Sequence, residues 1–251
     1  MSNFNDFFAN NLNAAQLTQD IYTIVTESKD ITIPDDGRDY FVLLQGAGGS
    51  GSARNEDSSF QITGGASGYH KLVNLTRGKT YTFSIGAGGS PVNTFDSSTV
   101  HVDGIKGGDT SITYDDTTIT AIGGGGGISI TDDFTPVDGM EWIALKFENG
   151  TYGNYTNYGY SKIPFRYSSE SLMSRDETTV CTRGGASIFG IGGGYDFNNS
   201  NSSYKFYAED TRSYGAGGGA CSNEFNNDDG GVQSGKGGDG VAIIYVGNSK
   251  L

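Results

Sequence analysis

The sequence predicts a mostly β protein, with short antiparallel strands capping a glycine-rich sandwich of polyglycine-II type, long surface loops and a short N-terminal helix or extended leader. Two observations carry that expectation. Apolar, β-branched runs empty directly into glycine runs, and 41 of the 251 residues are glycine. The two kinds of run alternate along the chain more regularly than a flexible linker would.

The organising stretch is Tyr40-Phe-Val-Leu-Leu-Gln-Gly-Ala-Gly-Gly-Ser-Gly51, a strand that runs straight into glycine. The same event recurs at 80–89, 118–127, 187–194 and 213–220, and in reverse at 237–246. Each glycine costs more backbone entropy on folding than any other residue, so a run without a purpose would be disordered. Extended segments with three residues per turn make no internal hydrogen bonds. Their amides and carbonyls must find partners if buried, and neighbouring segments can supply them where no side chain holds the backbones apart. Gly46, Gly48, Gly49, Gly86, Gly88, Gly89, Gly123, Gly125, Gly127, Gly192, Gly193, Gly217 and Gly218 are therefore the expected backbone core.

The leader, residues 1–29, stands apart from a glycine-rich domain spanning 30–251. Phe4, Phe8, Leu12 and Ala15 recur at near-helical spacing with Phe7 adjacent, and 21–25 looks extended. The leader either packs back on the body or attaches it to a partner. Residues 29–34 form a short strand, followed by a Pro34-Asp-Asp-Gly37 turn and the strand 40–45. Residues 69–75 and 80–85 flank Thr76-Arg-Gly-Lys79 and read as a hairpin; Tyr81, Phe83 and Ile85 share its buried face. Short strands follow at 99–102, 110–114 and 117–122, with Asp115-Asp116 in the last turn. From 128 to 183 the pattern breaks into an insertion. Glu141-Trp-Ile-Ala-Leu-Lys-Phe147 is apolar enough to be buried, whereas 149–160 and 195–204 are Tyr, Asn, Ser and Gly mixtures that read as loops.

Several functions are disfavoured. Gly46, Gly48 and Gly51 match the dinucleotide fingerprint G-x-G-x-x-G, but Ser52-Ala-Arg-Asn-Glu-Asp-Ser-Ser59 lacks the apolar stripe of the helix that must follow. The net charge of −13 argues against nucleic acid, whose phosphates need clustered Lys and Arg. No 18-residue apolar run is present, so no membrane insertion is expected. The N-terminus lacks the basic start and apolar core of a signal peptide, which implies synthesis in a cytosol without export by the general route. Cys181 and Cys221 make no disulfide framework, and a pair and two reduced thiols are both open. With His70 and His101 they give no zinc spacing, and no cofactor is expected. Asp132, Asp133, Glu141, Glu148, Asp228 and Asp229 could supply a glycosidase pair, but 29 acidic residues offer such pairs freely, so no enzyme is expected. Residues 226–231 fail a calcium loop because Phe225 stands where a ligand is required.

The order of motifs resembles a glycine-rich domain of bacteriophage tail-fibre and tail-tip proteins. The resemblance rests on Ile31-Thr-Ile-Pro34, the Phe41 strand into Gly46-Ala-Gly-Gly, Gly64-Gly-Ala-Ser-Gly-Tyr69, Arg77-Gly-Lys through Gly89, Gly107-Gly-Asp-Thr-Ser111, residues 121–127 and the closing 237–246. It implies strands capping a sandwich of polyglycine-type segments, with variable loops at one end that recognise a host surface. Arg77 departs from the proline often found in that family's turn, and 128–183 has no counterpart in it. Glycine-rich surface proteins of large eukaryotic viruses are a related source.

The expectation is thus a virion structural protein, an adhesin of the tail or particle surface. It would bind a host surface protein or glycan through Tyr152, Tyr155, Tyr158, Tyr160, Tyr195 and Tyr204, because Tyr with Ser, Gly and Asn suits adaptable recognition. Its other partners would be tail or fibre proteins, held by the leader, and possible further copies of itself. The alternatives are a purely structural spacer or decoration protein and a glycan depolymerase.

Overall fold

The computed structural model describes residues 19–55, 60–95, 101–131, 172–173, 180–181, 183–198, 205–223 and 231–247. Period-two apolar runs build two four-stranded antiparallel sheets. The first has the order Gln19–Val25, Val241–Gly247, Asp39–Gln45, His70–Leu75, and the second Thr117–Ala121, Thr110–Tyr114, Thr80–Ser84, Lys29–Thr32. Tyr40, Val42, Leu44, Ala242, Ile244 and Val246 of the first sheet share one buried cluster with Tyr81, Phe83 and Ile112 of the second. Alternation is clean on Thr80–Ser84, where Tyr81 and Phe83 are buried and Thr80, Thr82 and Ser84 are exposed. Each large apolar side chain buried here contributes about 1.5–3 kcal/mol.

Asp115 and Asp116 sit at φ +47° and +62°, the left-handed pair of a two-residue hairpin turn, so Tyr114 faces Thr117 as expected. The hairpin expected around Thr76-Arg-Gly-Lys79 does not form. His70–Leu75 pairs with Asp39–Gln45, while Thr80–Ser84 pairs in the other sheet with Lys29–Thr32 and Thr110–Tyr114. Leu75 and Tyr81 both enter the shared core, so the turn carries the chain across the sandwich instead of along one sheet. Backbone bonds from Gly78 N to the Ile33 carbonyl and from Ile33 N to the Lys79 carbonyl tie it to the second sheet. The extended stretch expected at 21–25 is present within Gln19–Val25, an edge strand of the first sheet whose Val25 is fully buried. The helix expected over Phe4 to Ala15 lies outside the described residues, as does the apolar 141–147.

Five times the chain runs outward through a small-residue segment, enters a short strand and returns: 46–69, 85–109, 122–187, 191–213 and 216–240. The segment 46–52 shows how these pieces hold together. Gly46, Gly49 and Ser52 donate to the carbonyls of Tyr69, Ala66 and Thr63; Ala47 and Ser50 donate to Gly108 and Ile105; Gly48 and Gly51 donate to Gly238 and Gly235, all at 2.8–3.2 Å. Every third amide therefore serves the same neighbour, and these three neighbours run antiparallel to 46–52. Three parallel neighbours donate back: Gly124 and Gly127 to Ala47 and Ser50, Gly89 to Gly48, and Gly218 and Cys221 to Gly49 and Ser52. The next segment repeats the period, with Thr63, Ala66 and Tyr69 donating to Ile128, Gly125 and Ile122.

Side chains are excluded from the lines of contact. A methyl group on Gly48 would fall on the backbone of Ala216, one on Gly49 on Gly125, one on Gly124 on Ala66 and Ser67, and one on Gly217 on Gly65, all closer than 3.0 Å. Where the segments meet the sandwich, side chains finish the bonding. Gln45 is fully buried and donates through Nε2 to the Gly46, Gly68 and Tyr69 carbonyls. Asp109 accepts from the Gly123 amide and Asp239 from the Gly88 amide, each at 2.8 Å. Lys106 lies 3.5 Å from Asp109 and Lys236 lies 3.0 Å from Asp239. The two clamps share the spelling Lys-Gly-Gly-Asp.

Beyond the segments lies a second set of strands. Ala53–Asn55, Cys221–Asn223 and Asp196–Asn198 are parallel neighbours, with His101–Val102 antiparallel at the edge. Phe60–Ile62 pairs antiparallel with Ser129–Thr131 and parallel with Val180–Cys181, which pairs antiparallel with Leu172–Met173; Lys205–Tyr207 pairs parallel with Gly231–Gln233. Parallel pairing departs from the all-antiparallel expectation, and chain direction explains it. Outgoing segments extend into strands that point the same way, as do returning ones.

Two outcomes follow from this construction. Gly124→Ala should lower stability by about 2–5 kcal/mol, combining a displaced backbone bond with overpacking, whereas Gly37→Asn should change it by less than about 1 kcal/mol. Gly37 has φ +83°, a conformation that asparagine tolerates, and a Cβ there would meet only the end of the Arg77 side chain, at 3.9 Å. Chemical denaturation of both variants measures the contrast. Partial burial raises the Asp239 carboxyl, but the Gly88 amide and the Lys236 ammonium pull it further the other way, so it ends below the usual carboxylate value. The stability it contributes is full above the ordinary aspartate value of 3.8 and is lost as pH falls through the lower folded one. Asp239→Asn should therefore be less stable than the parent at pH 6 and approach it in acid, as read from unfolding midpoints across pH.

Candidate functional site

The stretches 56–59, 132–171, 174–179, 199–204 and 224–230 each join distal strands at both ends, and 96–100 leads from Phe95, two residues past the Asn93–Gln233 bridge, into the distal strand His101–Val102. The described anchors of all six therefore lie at the end of the molecule opposite the sandwich. A small apolar core of Ala53, Val92, Ala208, Cys221 and Val232, flanked by Val102 and Phe206, fixes them. Buried polar side chains lie in the same layer, including Arg54, Asn55, Ser222 and Asn223, and Asn223 Nδ2 donates to Asn55 Oδ1 at 3.1 Å.

Of the six tyrosines expected to bind a receptor, Tyr195 is described. It is half-buried against Ile62 and Ala220 at the base of the distal strands. The residue after it begins the strand Asp196–Asn198, so the loop expected over 195–204 starts as a strand. Tyr152, Tyr155, Tyr158, Tyr160 and Tyr204 lie outside the described residues. The thirteen expected core glycines fall among the interlocked segments. Gly125 accepts from Ala66, Gly86 donates to Thr110 Oγ1, and Gly192 leaves no room for a side chain beside Gly184.

The distal end also holds an aromatic group that sequence reasoning missed. Tyr207 is 53 % exposed and meets Phe95 edge-on, with ring centroids 5.8 Å apart. Lys205 Nζ lies 4.4 Å from the Phe95 ring centre, a cation–aromatic contact. Lys205 and Tyr207 are exposed on either side of a half-buried Phe206. Period-two reading of Lys205-Phe-Tyr207 was the signal that would have found them. The arrangement offers flat apolar area with a fixed positive charge, which suits recognition more than bond-breaking chemistry.

The remaining candidates for chemistry are scattered. Asp132, Asp133, Glu141, Glu148, Asp228 and Asp229 lie outside the described residues. His101 is exposed on its distal strand, and His70 is half-buried at the opposite end of the glycine segments, where burial lowers its pKa. Cys221 is a free thiol buried in the distal core; burial pushes it well above the usual range and keeps it protonated. Among the described residues no group of three or more His, Cys, Asp or Glu side chains gathers as a metal site would need, and no helix is long and apolar enough to cross a membrane. The strand Ala53–Asn55 stands where a dinucleotide fingerprint needs a helix.

No curated protein matches the chain significantly. Residues 24–247, from the end of the first strand to the end of the last, match the model of a glycine-rich domain. The chain therefore belongs to that glycine-rich domain family.

Proposed function

We propose that this protein is a virion structural protein, a tail-fibre or tail-tip adhesin of a tailed phage, that binds a host surface protein or glycan through its distal end. We further propose that its glycine segments form a polyglycine-II-type bundle, the reading that the three-residue hydrogen-bond period supports. The observation that carries the function is the gathering of chain anchors at one end. A backbone-bonded shaft holds them, so recognition residues attached there lose little freedom on binding. The Tyr-, Asn-, Ser- and Gly-rich stretches 149–160 and 195–204 belong to two of these excursions, and Tyr207 with Phe95 adds exposed aromatic area beside them. Both ends of the described chain, Gln19 and Gly247, pair in the first sheet at the opposite end, which leaves that end for particle attachment.

Adsorption tests the reading. Replacing Tyr155 and Tyr158 with Ala should weaken host binding by about 1–4 kcal/mol in total, and Tyr207→Ala should weaken it as well, with unfolding midpoints nearly unchanged. Normal adsorption by correctly assembled particles carrying all three changes would overturn the adhesin function and leave a structural virion role.

A further inference from the structure

The two sheets of the sandwich have four edge strands, and three of them carry devices that discourage pairing with another chain. Gln19–Val25 has Asp20 and a bulge between Ile21 and Thr23, Lys29–Thr32 has Lys29 and Asp30, and His70–Leu75 has Lys71. Thr117–Ala121 has no charge, proline or bulge, and keeps unbroken register with Thr110–Tyr114.

Its outer backbone is open because of the path of the chain. Tyr114 and Thr117 close a two-residue turn and so exchange ladder bonds, as do Ile112 with Ile119 and Thr110 with Ala121. Thr118 and Thr120 therefore aim their amides and carbonyls away from the sheet.

Further along, that outer side is taken: the Ile122, Gly125 and Ile128 carbonyls accept from Tyr69, Ala66 and Thr63, which run antiparallel to them. After Tyr69 the chain crosses to His70–Leu75 in the first sheet. Thr120 and Thr118 are left without a main-chain partner on that side among the described residues. Beside this edge, between the sheets, opens a cavity of about 110 Å³ lined by Val73 of the first sheet and by Tyr81, Tyr114, Thr117 and Ile119 of the second.

We infer that Thr117–Ala121 is a docking edge for an extended segment of another protein, which pairs antiparallel in the line that 63–69 leaves and seats an apolar side chain in this cavity. In such strand addition the main-chain bonds supply affinity and the cavity selects the side chain. Asp115 and Asp116 are exposed at one end of the edge, on a chain of net charge −13. They favour a segment that alternates apolar with polar residues and ends in Lys, and they disfavour a second copy of this acidic chain. The edge lies on the sandwich, away from the distal strands, so the inference does not depend on what the distal end recognises.

Residue-resolved amide exchange of the full chain tests it, with the capped peptide Lys-Val-Thr-Val-Thr-Leu-Lys as probe. The peptide should slow exchange at Thr118 and Thr120 several-fold and leave the edges Lys29–Thr32 and His70–Leu75 unchanged. The same peptide N-methylated at its two threonines, whose amides would meet the edge, should have no effect. Thr118→Pro removes an outward amide and spares the ladder to Thr110–Tyr114, so it should abolish most of the slowing at Thr120 while the unfolding midpoint stays near that of the parent. If the proline variant fails to fold, the methylated peptide alone decides. Unchanged exchange at Thr118 and Thr120 with the unmethylated peptide, or equal protection by the methylated one, would overturn the inference. So would protection that appears without peptide as protein concentration rises, which would assign the edge to a second copy.

Discussion

The structure depends on hydrogen bonds between main chains that approach too closely to admit a Cβ. In an ordinary β domain the backbone is satisfied within sheets, and side chains fill the space between them. Here the middle of the molecule has no such space. The segment 46–52 has six neighbours, giving amides to three and accepting them from three others, and it meets five of the six at every third residue. Glycine is the residue that allows contact on so many sides, and Ala, Ser and Thr occupy positions where a small side chain still fits, as Ala47, Ser50 and Thr63 do. The entropy lost by ordering so many glycines is offset by amides and carbonyls satisfied throughout a buried volume.

That constraint shapes what surrounds it. Extended segments without side chains have little to fix their register, so both ends need anchors. The sandwich supplies one through its apolar core, with Gln45, Asp109 and Asp239 closing the bonds at the seam. The distal strands supply the other through a much smaller core around Cys221 and Val232. Strand direction out there is inherited from segment direction, which is why parallel pairs sit beside antiparallel ones. The shaft in turn fixes the strands from which each excursion leaves and to which it returns, and so gathers their anchors at one end.

Much of this was legible in the sequence because a glycine run after a strand has a physical cost that demands a purpose. The strands at 40–45, 110–114 and 117–122, the Asp115-Asp116 turn and the buried face of Tyr81 and Phe83 follow from period and turn chemistry alone. The partner of each strand does not. The short turn at 76–79 reads as a hairpin locally, and only the shared core of Leu75 and Tyr81 reveals that it crosses between sheets. Parallel distal pairing was equally hidden, since it depends on the direction of segments that carry no side-chain pattern. At the candidate site, the Tyr- and Asn-rich composition marked two stretches, but Phe95, Lys205 and Tyr207 come from excursions far apart in sequence and meet only once the shaft aligns them. The repeated Lys-Gly-Gly-Asp was visible, yet its meaning rests on which amide each carboxylate reaches.

Residue-resolved amide hydrogen exchange measures the central claim most directly. If backbone bonding in the glycine segments holds the molecule together, the amides of Gly48, Gly49, Ser50, Ala66, Gly107, Gly124 and Gly127 should exchange as slowly as those of Val42 and Ile244 in the sandwich, opening only with global unfolding. Exchange of those glycine amides at the rate of an exposed turn such as 35–37, while the sandwich stays protected, would contradict it.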